Sequence, residues 1–226
     1  PLMAAALAGT CLPATAACLS DLQAAALVAN YLNKTPSANP EGLNDADAAC
    51  TRAKFNSFLA QQTGAKVAGY KAGLTNPAVQ KRFNATAPVW GVLYEPMLLK
   101  DGASVEAAFG ARPVFEADLL VRVADPRIHQ AKTPEQVLQY IDQVIPAIEL
   151  PDLMVEAPAK LNGAAVGAIN VAARYFVTGT PIPVQRTPEF AASLASMKVV
   201  VMGNMEDLDA GRGSDVLEHP LNAVIW

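Results

Sequence analysis

Three carboxylates placed inside apolar strands are the residues of this chain best suited to chemistry. Glu116 and Asp118 lie in Val114-Phe-Glu-Ala-Asp-Leu-Leu-Val121, and Glu149 lies in Val144-Ile-Pro-Ala-Ile-Glu-Leu150. Both stretches are rich in β-branched and other apolar residues, so each reads as a buried strand. A carboxylate in such a strand loses several kcal/mol of solvation unless a partner compensates it. Strand alternation sets Glu116 and Asp118 on one face. If Glu149 joins them from a second strand, three hard oxygen donors surround one point, the make-up of a Mg²⁺ or Mn²⁺ site. On the strands alone, a solvated acidic face explains the pattern equally well. Lys71, in the apolar stretch Val67-Ala-Gly-Tyr-Lys-Ala-Gly-Leu74, is the second candidate. Desolvation there would suit the amine to proton transfer. A stem packed along apolar surface with its ammonium in water fits the same pattern.

The elements that must hold these groups are legible in outline. Ser20 or Asp21 caps a helix running to Asn33, and a loop with Pro36, Pro40 and Gly42 follows. A second helix spans 44–63, entered through Asn44 or Asp45 and stopped by Gly64. The Lys71 strand comes next, then one or two helical turns over 75–83. Strands are expected at 90–95, 114–123, 144–150, 173–178 and 197–203, with a helix from Pro134 to Val144 entered through Thr133. Residues from Gly211 begin as a loop and turn helical near Leu221.

The whole composition narrows the function. The 226 residues suit a single domain with an ample core, since 52% are hydrophobic and 17% charged. With a net charge of −4 and no Lys/Arg cluster, neither nucleic acid nor an anionic membrane surface is an expected partner. Residues 2–17 are uncharged and apolar and contain Ala14-Thr-Ala16, so 1–17 reads as a signal-peptide remnant and 18–226 as one domain. That reading places the protein in a bacterial periplasm or outside the cell, with no membrane partner in the mature form. Cys18 and Cys50 would survive cleavage, and either a disulfide or two free thiols fits their positions. The segment ending at Trp226 stops just inside an expected helix, as if the C-terminal part of the domain were missing. His219 and His129 read as structural and loop residues, and Ser214 lacks His and Asp partners in order.

Taken together, the motifs resemble a known family. Gly69-Tyr-Lys71-Ala-Gly-Leu-Thr75 is similar to the Gly-x-Lys-x-Gly-Leu-Thr segment of the 2-keto-4-pentenoate hydratase and 4-oxalocrotonate decarboxylase family, in the fumarylacetoacetate hydrolase superfamily. Trp90-Gly-Val-Leu-Tyr94, Pro113-Val-Phe-Glu116-Ala-Asp118, Ile145-Pro-Ala-Ile-Glu149 and Gly211-Arg-Gly-Ser-Asp-Val-Leu-Glu-His-Pro-Leu-Asn222 follow in the family's order. The resemblance spans about residues 25 to 226. It implies an α+β fold, fumarylacetoacetate hydrolase-like, with a mixed β-barrel or β-roll core and N-terminal helices. It further implies Glu116, Asp118 and Glu149 as ligands of Mg²⁺ or Mn²⁺, Lys71 as the catalytic residue, and Asn170 as a substrate-pocket residue. The substrate would be a small 2-keto acid, and the assembly a homo-oligomer. A hydratase adding water to a 2-hydroxydienoate such as the enol of 2-keto-4-pentenoate is the leading activity. A 4-oxalocrotonate-type decarboxylase and a non-catalytic periplasmic keto-acid-binding homologue are the alternatives. The chain departs from the family pattern at Val89, where hydratases carry an acid, at Asp152-Leu-Met154, at Ile169 and at Glu218.

Overall fold

The computed structural model describes residues 18–226, so the signal-like segment 1–17, with Cys11, lies outside the described residues. Two helices open the chain. α1 (Asp21–Leu32) is entered through a capping box, in which the Gln23 backbone N–H donates to Ser20 Oγ and the Gln23 side chain accepts from the Ser20 N–H. α2 (Asp45–Thr63) uses the same device through Asn44 and Asp47, and it stops at Gly64 because a left-handed φ of 65° there suits a glycine. A disulfide joins Cys18, just ahead of α1, to Cys50 on α2, which settles the choice left open between a bridge and two thiols.

The remaining elements, in order, are β1 (Val67–Gly73), α3 (Pro77–Arg82), β2 (Val89–Tyr94), β3 (Leu98–Leu99), β4 (Glu116–Val123), α4 (Pro134–Val137), β5 (Ile141–Leu150), α5 (Gly163–Ala168), β6 (Tyr175–Thr178), β7 (Ile182–Pro183), α6 (Pro188–Ser196), β8 (Lys198–Gly203), β9 (Glu206–Arg212) and α7 (Asn222–Ile225). The fold is therefore mixed α+β. Its strands form three sheets: the hairpin β1–β2, a five-stranded sheet ordered β3-β6-β5-β4 with β7 on β5, and the hairpin β8–β9. Among the described residues no closed barrel forms.

Two expectations need correction. The helix expected over 134–144 ends at Val137, and β5 begins at Ile141. Ile141 and Val144 gain more as buried strand residues, opposite Val123 and Val121, than they would in a helix. The loop expected from Gly211 starts two residues later, because Gly211 and Arg212 end strand β9, whose exposed Glu206-Asp-Leu-Asp209 shows no alternation that would announce it.

The larger core lies where α1, α2 and α5 meet β2 and β6. There Leu27, Val28, Phe55, Leu93, Phe176 and Val166 are buried together. A second core gathers Val137, Ile141, Val144, Leu194 and Leu221 beneath α4, α6 and α7. His219 serves this second core, with Nε2 on the Ala191 carbonyl and Nδ1 accepting from the Leu221 N–H. The centre of β5 thus carries one core on each side of its length, and Glu149 sits at the end nearer the larger one.

Candidate active site

Antiparallel pairing of β4 with β5 sets Glu116 directly opposite Glu149 and Asp118 opposite Ala147. The three carboxylates therefore share one face, Asp118 one pleat beyond the Glu116–Glu149 pair. They differ in burial: Glu149 is 1% exposed, Asp118 is half-buried and Glu116 is exposed. Lys71 reaches this face from the separate hairpin. β1 pairs Lys71 with Gly91 of β2, and the buried ammonium donates to Glu149 Oε1 and, at 3.0 Å, to the Val171 carbonyl. The Phe176 ring, 5.8 Å from Nζ, forms part of the apolar wall. The structure thus brings Lys71, Glu149 and Asp118 together, with Glu116 at the rim.

Burial pushes the Glu149 carboxyl up to about 8; the Lys71 ammonium pulls it down and the Asp118 carboxylate pushes it further up. Asp118 is raised as well, chiefly by burial, while the Leu119 N–H, Lys71 and Glu149 draw it the other way. One ammonium does not offset the burial of Glu149 together with that of the half-buried Asp118. An unfolded chain releases the Glu149 proton near the ordinary value of 4.5, whereas the folded chain holds it to about 8. In that window the folded state binds more protons, so stability falls as pH rises from about 4.5 to about 8 and levels off above. Thermal melts of metal-free protein in chelator should show that decline; a melting temperature that rises through the window would contradict it.

Among the described residues no three His, Cys, Asp or Glu side chains converge closely enough to form a ready metal cluster. The Lys71 ammonium meets Glu149. The chemistry of the set nonetheless fits: three carboxyl groups lie on one face of one strand pair, two of them pushed by burial toward the protonated form, and once deprotonated they are hard oxygen donors for a divalent ion.

Asn170 is placed beside Lys71 through the backbone. Residues 170, 171 and 172 all take left-handed φ values, 56°, 53° and 55°. Such a turn is unfavourable for valine, and side-chain bonds hold it. Asn170 Oδ1 accepts from the Val92 N–H at 2.8 Å and from Asn56 Nδ2 at 3.0 Å, while Asn170 Nδ2 donates to the Val92 carbonyl at 2.9 Å. Tyr94 Oη closes the network on Asn56. Gly91 must be glycine, because a Cβ would stand 2.6 Å from the Asn170 carbonyl oxygen. The product of this arrangement is a Val171 carbonyl aimed at the Lys71 ammonium. With both lone pairs of Oδ1 engaged, the Asn170 amide keeps a single N–H for anything else. Asn170→Ala is expected to cost about 2–4 kcal/mol by orphaning Val92 and Asn56 and releasing the turn. Urea denaturation checks this; an unchanged midpoint would mean the side chain serves a ligand instead.

Sequence reasoning missed two further groups. Asp152, fully buried after β5, accepts from the Ala111, Arg112 and Met154 N–H groups at 3.0, 2.7 and 3.1 Å and pairs with buried Arg174 at 3.3 Å. Arg174 also donates to the Tyr31 carbonyl and stacks over the Tyr31 ring, 4.3 Å from its centroid. The signal for Asp152 was an acid directly after the apolar β5, read only as the remnant of a longer motif. The second group, Arg52, sits inside α2, where nothing in the local pattern marks it.

Comparison with known proteins places this site in context. No family model matches the chain. The chain is 28% identical over 164 residues to the 4-oxalocrotonate decarboxylase of Pseudomonas putida, an alignment covering 73% of this chain and 60% of that one. It is equally identical, over 164 residues, to the 2-keto-4-pentenoate hydratase of Paraburkholderia xenovorans (strain LB400), covering 72% and 59%. The chain thus spans about three fifths of the length of these curated relatives. Among solved structures, the 4-oxalocrotonate decarboxylase from Pseudomonas putida G7, complexed with magnesium and adipate, superposes with a TM-score of 0.74 at 26% identity, covering 91% of this chain and 79% of that one. The same enzyme complexed with calcium and acetate superposes with a TM-score of 0.71.

Proposed function

As the chain belongs to the family of 2-keto-4-pentenoate hydratases and 4-oxalocrotonate decarboxylases, we propose that it is a metal-dependent hydro-lyase acting on a small 2-keto acid or its dienol, such as 2-keto-4-pentenoate. The observation that carries this reading is the buried Lys71–Glu149 contact on the face that also bears Asp118 and Glu116. Glu116, Asp118 and Glu149 would hold Mg²⁺ or Mn²⁺, which when bound would polarise the adjacent keto and carboxylate oxygens of such an acid. The residues of the chain supply the rest. Lys71, released from Glu149, is the group that holds or moves a proton, steered by the Val171 carbonyl. Phe176 and Val171 are buried beside it and keep bulk water from the proton-transfer path.

The test is the ultraviolet loss of 2-hydroxypenta-2,4-dienoate with added Mg²⁺ or Mn²⁺, expected to be abolished by chelator. No turnover with either metal, in protein whose melting temperature is also indifferent to both, would defeat the proposal. A second reading, decarboxylation, has its own support. Val89 packs apolar against Gly73 and Gly167 where an acid would help activate water, and loss of CO₂ needs no activated water. Release of CO₂ from 4-oxalocrotonate separates the two. The Cys18–Cys50 disulfide supports an oxidising compartment, and with it the periplasmic or secreted location proposed for the mature chain. Among the described residues no helix is long and apolar enough to cross a membrane. A homo-oligomer is part of the same proposal.

A further inference from the structure

Arg52 occupies an unusual place for a cation. The residue is 9% exposed, and among the described residues its guanidinium makes no ion pair and donates no hydrogen bond; only its backbone carbonyl is engaged, by Asn56. Its Cζ lies 3.8 Å from the centroid of the Trp90 ring. Stacking on an indole offsets much less than the solvation a buried guanidinium gives up, and burial lowers its hold on the proton accordingly. The nitrogens are not sealed in protein. Arg52 lines a cavity of about 400 Å³, a size typical of small-molecule sites, walled by Ala49, Pro88, Val89 and Trp226 among others, and one guanidinium nitrogen lies 3.8 Å from where a Cβ on Gly167, also in the wall, would stand. None of Lys71, Asp118 and Glu149 lines it. Strand alternation turns Trp90 away from the face that Gly91 shares with Lys71, and Tyr70 meets it there.

We infer that this cavity is a second binding site, one that takes a small organic monocarboxylate. A planar guanidinium stacked on an indole and left with free N–H groups matches a carboxylate in a bidentate pair. The apolar walls suit a short hydrocarbon or aromatic body. Asp45, also in the wall, disfavours a dianion such as phosphate. The site adjoins the Lys71 face, since Val89 of its wall lies on the strand face of Gly91, but it does not depend on the catalytic reading given above. It connects to the Lys71 region through one turn of α2, since Asn56 bridges the Arg52 carbonyl and the Asn170 side chain.

Both tryptophans of the sequence, Trp90 and Trp226, line the cavity, so intrinsic fluorescence reports on it directly. The full chain, stripped of metal by chelator, is titrated with benzoate and, as a neutral isostere, benzamide. Saturable quenching by benzoate and not by benzamide is expected. Arg52→Met should weaken it at least about tenfold. Ala49→Glu, one helical turn from Arg52, should weaken it equally by placing a carboxylate on the guanidinium without removing it. Lys71→Met should leave it intact. Absence of saturable quenching, equal response to benzamide, retention in either cavity variant, or loss on Lys71→Met would each overturn the inference.

Discussion

Replacing Glu149 by alanine should eliminate metal-dependent turnover and destabilise the protein by about 3–5 kcal/mol, because Lys71 is then left buried without its principal partner. The two losses have different origins, and a small series separates them. Lys71→Met alone removes the cation and leaves Glu149 beside Asp118; its folding cost should be smaller, since burial already favours the protonated Glu149. The double variant Lys71→Met/Glu149→Leu replaces the ion pair by apolar side chains of similar volume. It should recover most of the stability lost in Glu149→Ala while remaining inactive. Denaturant melts and the dienol assay on the parent and the three variants make the comparison. Activity in the double variant would show that neither group takes part in the chemistry. Added Mg²⁺ should raise the melting temperature of the parent more at pH 8 than at pH 5, where Glu149 keeps its proton, and should leave Glu149→Ala unmoved.

Asp152→Ala is expected to be the most damaging substitution away from the site. It strips the acceptor from three backbone N–H groups and from Arg174, whose Nε already has no partner among the described residues. Each orphaned buried donor costs about 1–3 kcal/mol, and the unpaired guanidinium more. A loss of more than about 4 kcal/mol consumes much of the stability of an ordinary domain, so little soluble folded protein should remain at 37 °C. Asp152→Ala/Arg174→Met should recover part of the loss by removing the stranded charge. A melting temperature for Asp152→Ala within a few degrees of the parent would show that water replaces the carboxylate. Asp152 acts at a distance from chemistry, yet it ties the loop before β4 to the end of β5, the two strands that carry the acids.

How far the sequence itself reached can be judged element by element. β1 and β4 were legible because short runs of apolar residues surround Lys71, Glu116 and Asp118, and the composition of a short run is a local property. α1 and α2 were legible because Ser20, Asn44 and Gly64 are capping signals within one turn of the ends they define. β9 was not, since its exposed acidic residues acquire strand geometry only from pairing with β8. α6 was overlooked although Thr187 and Pro188 mark its start. α4 was drawn too long because Ile141 and Val144 suit helix and strand alike until β4 offers them a partner.

The sequence by itself determined which residues are costly to bury: three carboxylates and a lysine in apolar strands must find compensation, whatever the fold. Only the tertiary structure decided what compensates them. It set Glu149 rather than Glu116 against Lys71, made Asn170 hold the left-handed turn that aims Val171, and buried Arg52 against Trp90 with no ion pair among the described residues. The physical reason is range. Propensity, alternation and capping act within a few residues, whereas Lys71 and Glu149 lie 78 residues apart, and Asn56 and Asn170 lie 114 apart. Contacts at such separations are settled by how sheets and helices pack.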